Sequence, residues 1–205
     1  MGAKERRERI KQATRQGILD GARQIAQQEG WTALTIRKVA DFIEYSPSIV
    51  YEYFDSKDAI LHTLLQDGFD TLAAAMEHGQ QATDDPQQQV VGVIDAYWQF
   101  ARDNPDLYQV MHGLGGVTTD AALRAEAVQA VCTIAADTLT TWAHAKDVQL
   151  DDPVECAEIV WSLLHGWVSL TLIDQVYTDE AYARQRLHRT VQALLRGWET
   201  ISAST

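Results

Sequence analysis

The sequence predicts an all-α protein, and its four prolines are the first observation that does so. Each follows a residue of the helix N-cap type: Ser46-Pro47, Asp85-Pro86, Asn104-Pro105 and Asp152-Pro153. The cap side chain accepts a hydrogen bond from an unpartnered N–H, and proline at the first helical position gives up a donor that had no partner. Gln88 and Glu155, three residues beyond Asp85 and Asp152, add a capping-box pattern. The second observation is that apolar residues recur at helical spacing along the chain, while no stretch alternates with a period of two. A chain of 205 residues with 46% hydrophobic content is long enough to bury a real core, in one domain or two small ones.

The elements follow in order. Residues 11–28 place Ile18, Ala22, Ile25 and Ala26 on one helical face, and Gly30 stops that helix. Thr35 caps the short segment "IRKVADFI", with Ile36, Val39, Ala40 and Ile43 turned inward. Ser46-Pro47 opens the next helix, which ends near Phe54; Val50 and Phe54, four apart, share the side facing the earlier helices. Ser56 caps a longer helix beginning "KDAILHTLLQ", on which Ile60, Leu64 and Gly68 share a side, and "QQATDDPQQQ" (80–89) reads as a linker. Val90, Ile94, Tyr97, Trp98 and Ala101 form the next stripe, Leu107 to Met111 a short one, and "HGLGG" (112–116) a turn. One alanine-rich helix is expected over 120–146, aligning Val128, Val131, Ala135, Leu139 and Trp142, followed by helices over 153–177 and 179–201.

The net charge of −12 argues against a nucleic-acid partner until the chain is divided. Residues 1–57 carry ten Lys/Arg against eight Asp/Glu, net +2, whereas residues 58–205 carry seven against twenty-one, net −14. Lys4, Arg6, Arg7, Arg9 and Lys11 fall within a basic N-terminal arm, residues 1–11, beside Glu5 and Glu8. Such asymmetry marks either an interaction region or a solvated basic tail. The charged opening "MGAKERRERIKQ" lacks the apolar stretch of a signal peptide, and the apolar run from Trp161 to Ile173 is too short to span a bilayer. Cys132 and Cys156 make no disulfide framework and read as small buried residues in a reducing cytosol, so a cytoplasmic protein is expected. The six histidines include no pair at helical metal-ligand spacing, and "GLGG" lacks the Gly-Lys-Ser/Thr of a phosphate loop. Neither a metal, nor a cofactor, nor an enzymatic site is therefore expected.

Two short helices separated by "EYS" form the signature of a helix-turn-helix, whose second helix enters the DNA major groove. Proline at its first position and the small Ser48 let its tip approach base edges. Tyr51 and Tyr53 can offer hydroxyls, and Lys57 an ammonium, to phosphates. The segment "GILDGARQIAQQEGWTALTIRKVADFIEYSPSIVYEYFDSKDAIL" resembles the N-terminal domain of the TetR (tetracycline-repressor-like) transcriptional regulators. The match rests on Gly30 followed by an aromatic, Leu34-Thr35, the "RKVA" helix, and Ser46-x-x-x-x-Tyr51-x-Tyr53-Phe54-x-Ser56-Lys57-Asp58. The resemblance implies a DNA-binding domain over residues 12–70, with its helix-turn-helix at 35–54. It implies phosphate contacts from Thr35 and from Arg37 or Lys38, and a groove-entering start at Ser46. Pro47, Ser48 and Ile49 would face bases, and Tyr51, Tyr53 and Lys57 would clamp the backbone of double-stranded operator DNA. The family usually has glycine where this chain has Glu44, a turn position that glycine occupies in left-handed conformation at low cost. Ile49 can read only shape or a thymine methyl, so guanine readout falls to other elements, such as the basic arm in a minor groove.

"WSLLHGWVSLTLID" (161–174) and "NPDLYQVMHGLGG" (104–116) resemble the Trp-His-Gly-type C-terminal domain of some of these regulators. That resemblance implies that residues 71–205 bind a small hydrophobic or aromatic effector and form a homodimer through the last two helices. Tyr97, Trp98, Tyr108, Met111, Trp142, Trp161 and His165 are candidates for the pocket, although each is equally a candidate for the core. The helix from Pro153 is apolar nearly all round, which demands burial on more than one side. Leu187, Val191, Leu194, Leu195 and Trp198 are the candidate dimer interface. The expected protein is a transcriptional regulator, a repressor released from a pseudo-palindromic operator by its effector. An activator of the same fold, or a helical small-molecule-binding protein without DNA function, remains the alternative.

Overall fold

In the computed structural model, described for residues 2–172 and 179–202, the chain is helical throughout, with no strand among the described residues. The helices are α1 (Ala3–Glu29), α2 (Ile36–Phe42), α3 (Pro47–Tyr51), α4 (Lys57–Gln81), α5 (Pro86–Asp103), α6 (Pro105–His112), α7 (Ala121–Ala127), α8 (Gln129–Lys146), α9 (Pro153–Leu172) and α10 (Glu180–Ser202). A single 3-10 turn, Trp31–Ala33, follows α1. All four prolines stand at first helical positions. Asp85 caps α5 by accepting from the Gln87 N–H, and Asp152 accepts from the N–H of Val154 at 2.8 Å.

Three elements depart from the sequence reading. First, α1 starts at Ala3 rather than near residue 11, so the basic arm is helical and continuous with the rest of α1. Second, the helix expected over 120–146 is two, because the hydrogen-bond ladder breaks at Val128 while its backbone stays in the right-handed region. No proline or glycine marks that break. Third, regular α3 ends at Tyr51, and turns through Val50's carbonyl, which accepts from the N–H of Tyr53 and of Phe54, carry the chain on. The expected end of the ninth helix at Tyr177 lies outside the described residues.

The chain forms two compact units that do not follow chain order. The first comprises residues 1–68 and 106–126; the second comprises 69–105 and 127–205. Asp106 explains why a later segment joins the first unit. Its carboxylate, 3% exposed, accepts from Arg23 Nε at 2.6 Å, Arg23 Nη2 at 3.2 Å and Gln27 Nε2 at 3.1 Å. Its carbonyl accepts from the indole of Trp31 at 3.0 Å. In α4, Gly68 leaves room for the Met111 side chain of α6, where an added Cβ would lie 2.7 Å from the sulfur.

In the second unit, α4 and α5 meet at Gly79 and Gly92. A Cβ on Gly79 would stand 2.5 Å from the carbonyl oxygen of Gly92, so only glycine permits this approach. Arg184 and His188 of α10 both hold Asp95 of α5, at 2.6 Å and 2.7 Å. Leu187, Val191 and Leu195 are buried at 0, 1 and 3% exposure, so they line this unit's own interior rather than an intersubunit surface. Leu194 and Trp198 are half-buried, with the Trp198 ring 6.4 Å from that of Trp142. An amphipathic helix satisfies its apolar stripe first within its own chain, and periodicity cannot tell that burial from burial by a partner.

Candidate nucleic-acid interface and effector cavity

The helix-turn-helix is anchored from behind. Val39, Ala40, Val50 and Phe54 are buried, and Gly21 of α1 lets Ile43 and Phe42 come close, at 3.0 and 3.2 Å from where its Cβ would be. The turn between α2 and α3 is closed by Glu44, whose φ of 59° is the left-handed conformation that glycine would adopt cheaply. The Tyr45 N–H donates to Ala40 O at 2.9 Å, so the chain turns as a glycine-containing version would, at a cost of about 1 kcal/mol.

The outer edge of α3 is bare. Ser46, Pro47 and Ser48 are exposed, and the two serine hydroxyls share a 2.7 Å hydrogen bond instead of capping the helix. Ile49 is half-buried, with part of its side chain left at the surface. Tyr51 is 54% exposed and Tyr53 half-buried; neither hydroxyl has a hydrogen-bond partner among the described residues. Thr35 is exposed and caps α2 by accepting from the Lys38 N–H at 3.2 Å. Arg37 is exposed without a carboxylate partner among the described residues, Lys38 pairs with Glu29 at 2.6 Å, and Lys57 reaches the carbonyl of Trp31 at 3.4 Å. The ten residues named from sequence for DNA contact thus surround α3 and the starts of α2 and α4.

The N-terminal turns of α1 extend the cationic surface. Residues 4–13 are all exposed, and Lys4, Arg7, Lys11 and Arg15 recur on one face. Arg15 lies 5.1 Å over the Phe54 ring and donates to Thr63 Oγ1 at 3.4 Å, which ties that face to the end of the recognition segment. A helix about 10–12 Å across does not fit a minor groove about 6 Å wide. The helical arm therefore does not support the expected minor-groove reading; its exposed cations suit phosphates.

In the second unit, a cavity of about 60 Å³ lies among α4, α5, α8 and α9. Its depth is apolar: Met76, Ile94, Tyr97 and Leu139 are each at most 3% exposed. Thr138 in its wall is satisfied, accepting from Gln80 Nε2 at 2.8 Å and donating to Ile134 O at 2.6 Å. Of the seven residues named for a pocket, Tyr97 and Trp161 line it. Trp98 and Trp142 are buried in the same unit outside its lining, and Trp98 Nε1 has no hydrogen-bond partner among the described residues. Tyr108 and Met111 belong to the first unit's core. His165 stands one turn beyond Trp161, stacked on it at 5.5 Å, and burial pushes its imidazole pKa down. Aromatic content could not sort these residues, because which face a ring turns to the cavity is set by helix packing. Cys132, expected to be buried, is exposed and lines the cavity together with Glu158, and neither was among the residues named from sequence for a pocket.

Family models match most of the chain. Residues 18–64 match that of bacterial regulatory proteins of the tetR family, and residues 90–194 that of the tetracyclin repressor-like C-terminal domain. The chain belongs to the TetR family. It is accordingly a DNA-binding transcriptional regulator. Among solved structures, a Rhodococcus sp. RHA1 protein of unknown function shares the fold with a TM-score of 0.78 at 22% identity, covering 90% of this chain and 95% of that one. The fatty acid degradation regulator FadR of Bacillus halodurans gives a TM-score of 0.74 at 16% identity, over 85% and 92% of the two chains. FadR of Bacillus subtilis, in complex with stearoyl-CoA, gives 0.70 at 18% identity, over 84% and 95%. No curated protein matches the sequence. The described residues contain neither a cluster able to hold a metal ion nor a helix long and apolar enough to cross a membrane.

Proposed function

We propose that this TetR-family regulator is a cytoplasmic homodimeric repressor, without enzymatic activity, released from a pseudo-palindromic operator by a small hydrophobic effector. The observation that carries the reading is the contrast at α3, buried on Val50 and bare along Ser46, Pro47 and Ser48. An anchored back and an uncovered small-residue tip are what close approach to base edges requires. In this reading residues 12–70 read the operator. Pro47, Ser48 and Ile49 face bases, and Thr35, Arg37, Tyr51, Tyr53 and Lys57 hold phosphates, with Lys38 exchanging Glu29 for phosphate.

Residues 71–205 carry the effector site and the dimer contact. The apolar cavity supports a hydrophobic effector, as does the stearoyl-CoA complex of the structurally similar FadR. The exposed Ile159 and Leu170 of α9, eleven residues apart on one face, support a dimer built there rather than on Leu187, Val191 and Leu195. An effector shifts the DNA-bound population only by its differential affinity for the two states.

Selection from a random duplex pool with the full-length protein tests the DNA reading. It should return two inverted half-sites about one helical turn apart. Tyr51→Phe should then weaken every selected site by about tenfold through loss of one phosphate hydrogen bond. No enriched sequence, or unchanged affinity of Tyr51→Phe, would sink the respective assignment.

A further inference from the structure

The rim of the effector cavity differs in chemistry from its depth. Four lining residues keep exposed surface: Cys132 on α8, and Val154, Glu158 and Trp161 on α9. Glu158 and Trp161, three apart, share a helical face. Among the described residues, Glu158 is the sole charged side chain of the lining, and it has no ion pair or hydrogen bond. Partial burial raises the Cys132 thiol pKa and the Glu158 carboxylate raises it further, so carboxylate and thiol face one opening. Among the described residues, no lysine or arginine lines the cavity to receive an anion. The surrounding sequence adds to this field, since residues 58–205 carry a net charge of −14.

We propose that the cavity takes an amphiphile with an apolar body and a cationic head, an alkylammonium rather than a carboxylic acid, whose charge rests between Glu158 and Trp161. The assignment rests on the reading of this cavity as the effector site and narrows its ligand class. The carboxylate supplies Coulomb attraction, the indole supplies a π surface for a quaternary or primary ammonium, and the dry interior takes the tail. An acid of equal length has the same apolar tail but brings its charge to Glu158 with no cation among the lining residues described to offset it.

The test uses full-length protein and three matched probes: octyltrimethylammonium, octanoate and 1-octanol. Affinities are measured by calorimetry, Cys132 alkylation is followed by peptide mass with buried Cys156 as internal control, and operator binding is followed by anisotropy. Octyltrimethylammonium should bind about tenfold more tightly than octanoate, with octanol between them, and should slow Cys132 alkylation. Glu158→Gln should bring the two charged probes to within about twofold of each other while leaving octanol unchanged. Octanoate binding as tightly as the ammonium, a gap that survives Glu158→Gln, or alkylation unslowed by all three probes overturns the proposal. An ammonium that binds with the expected preference but leaves operator affinity unaltered upholds the ligand class and defeats the effector reading. Octanoate that binds preferentially and releases the operator does the reverse.

Discussion

The two compact units differ in how they place their cations, although Lys146 and Arg189 of the second are also exposed with no carboxylate partner among the described residues. In the first, Lys4, Arg6, Arg7, Arg9, Lys11 and Arg37 stand exposed with no carboxylate partner among the described residues. In the second, Arg184 and His188 converge on the single carboxylate of Asp95. Where the first unit does tie a cation inward, it does so structurally, as with Arg23 on the buried Asp106. The contrast teaches that a net charge of −12 describes neither surface. A bare cation is available for exchange with phosphate counterions, whereas a hydrogen-bonded one fixes a helix and contributes to stability.

The contrast is sharpened most by Asp106→Ala, which leaves the Arg23 charge and the Gln27 amide without their buried acceptor. A loss of about 3 kcal/mol in unfolding free energy by urea titration is expected. A change below about 1 kcal/mol would show that α6 is held to the first unit by apolar packing alone.

Next in size is deletion of residues 2–11, which strips five cations from the bare set. Operator affinity should fall on the order of 100-fold at low salt, and the log–log salt slope should become shallower by up to about 4. The selected operator sequence should stay the same, because phosphate contacts carry no base information. An unchanged slope would mean that the arm is only a solvated tail.

A smaller effect tests the tied set through pH. Burial alone would raise the Asp95 carboxyl, but hydrogen bonds and charge from His188 and Arg184 outweigh it and lower it to about 2. A carboxyl depressed in the folded state stabilises above its unfolded pKa, and that contribution is lost as pH falls from about 4 to about 2. Asp95→Asn should therefore cost about 1–2 kcal/mol near neutrality, allowing for its partial exposure, with the gap to the parent closing below pH 3. A gap that persists at pH 2 would assign the cost to packing.

The smallest change acts on the turn. Glu44→Gly relieves a left-handed conformation and should raise stability by about 0.5–1 kcal/mol in thermal unfolding, with operator affinity retained. Destabilisation would indicate that the Glu44 side chain contributes contacts exceeding its backbone strain.

The placement of the first unit's candidate site was legible because its determinants are local. Thr35, Ser46-Pro47 and Ser56 set helix starts within a few residues, and Val50 and Phe54 anchor α3 by four-residue spacing. Even the odd residue, Glu44, announced itself as the occupant of a position that needs positive φ. The all-α class followed from the same proline and cap chemistry.

What the sequence could not decide are the choices made by packing between distant elements. Trp98 is adjacent to Tyr97 yet does not line the cavity, and Leu187, Val191 and Leu195 form a stripe that their own chain buries. Gly79 and Gly92 look unremarkable until α4 and α5 bring their backbones together, and Glu158 becomes a cavity carboxylate only where α9 meets α8. Capping and periodicity act within a few residues along the chain, so one sequence specifies them. Which face of each helix meets which neighbour is settled by simultaneous burial of all the stripes, and that only the tertiary structure decides.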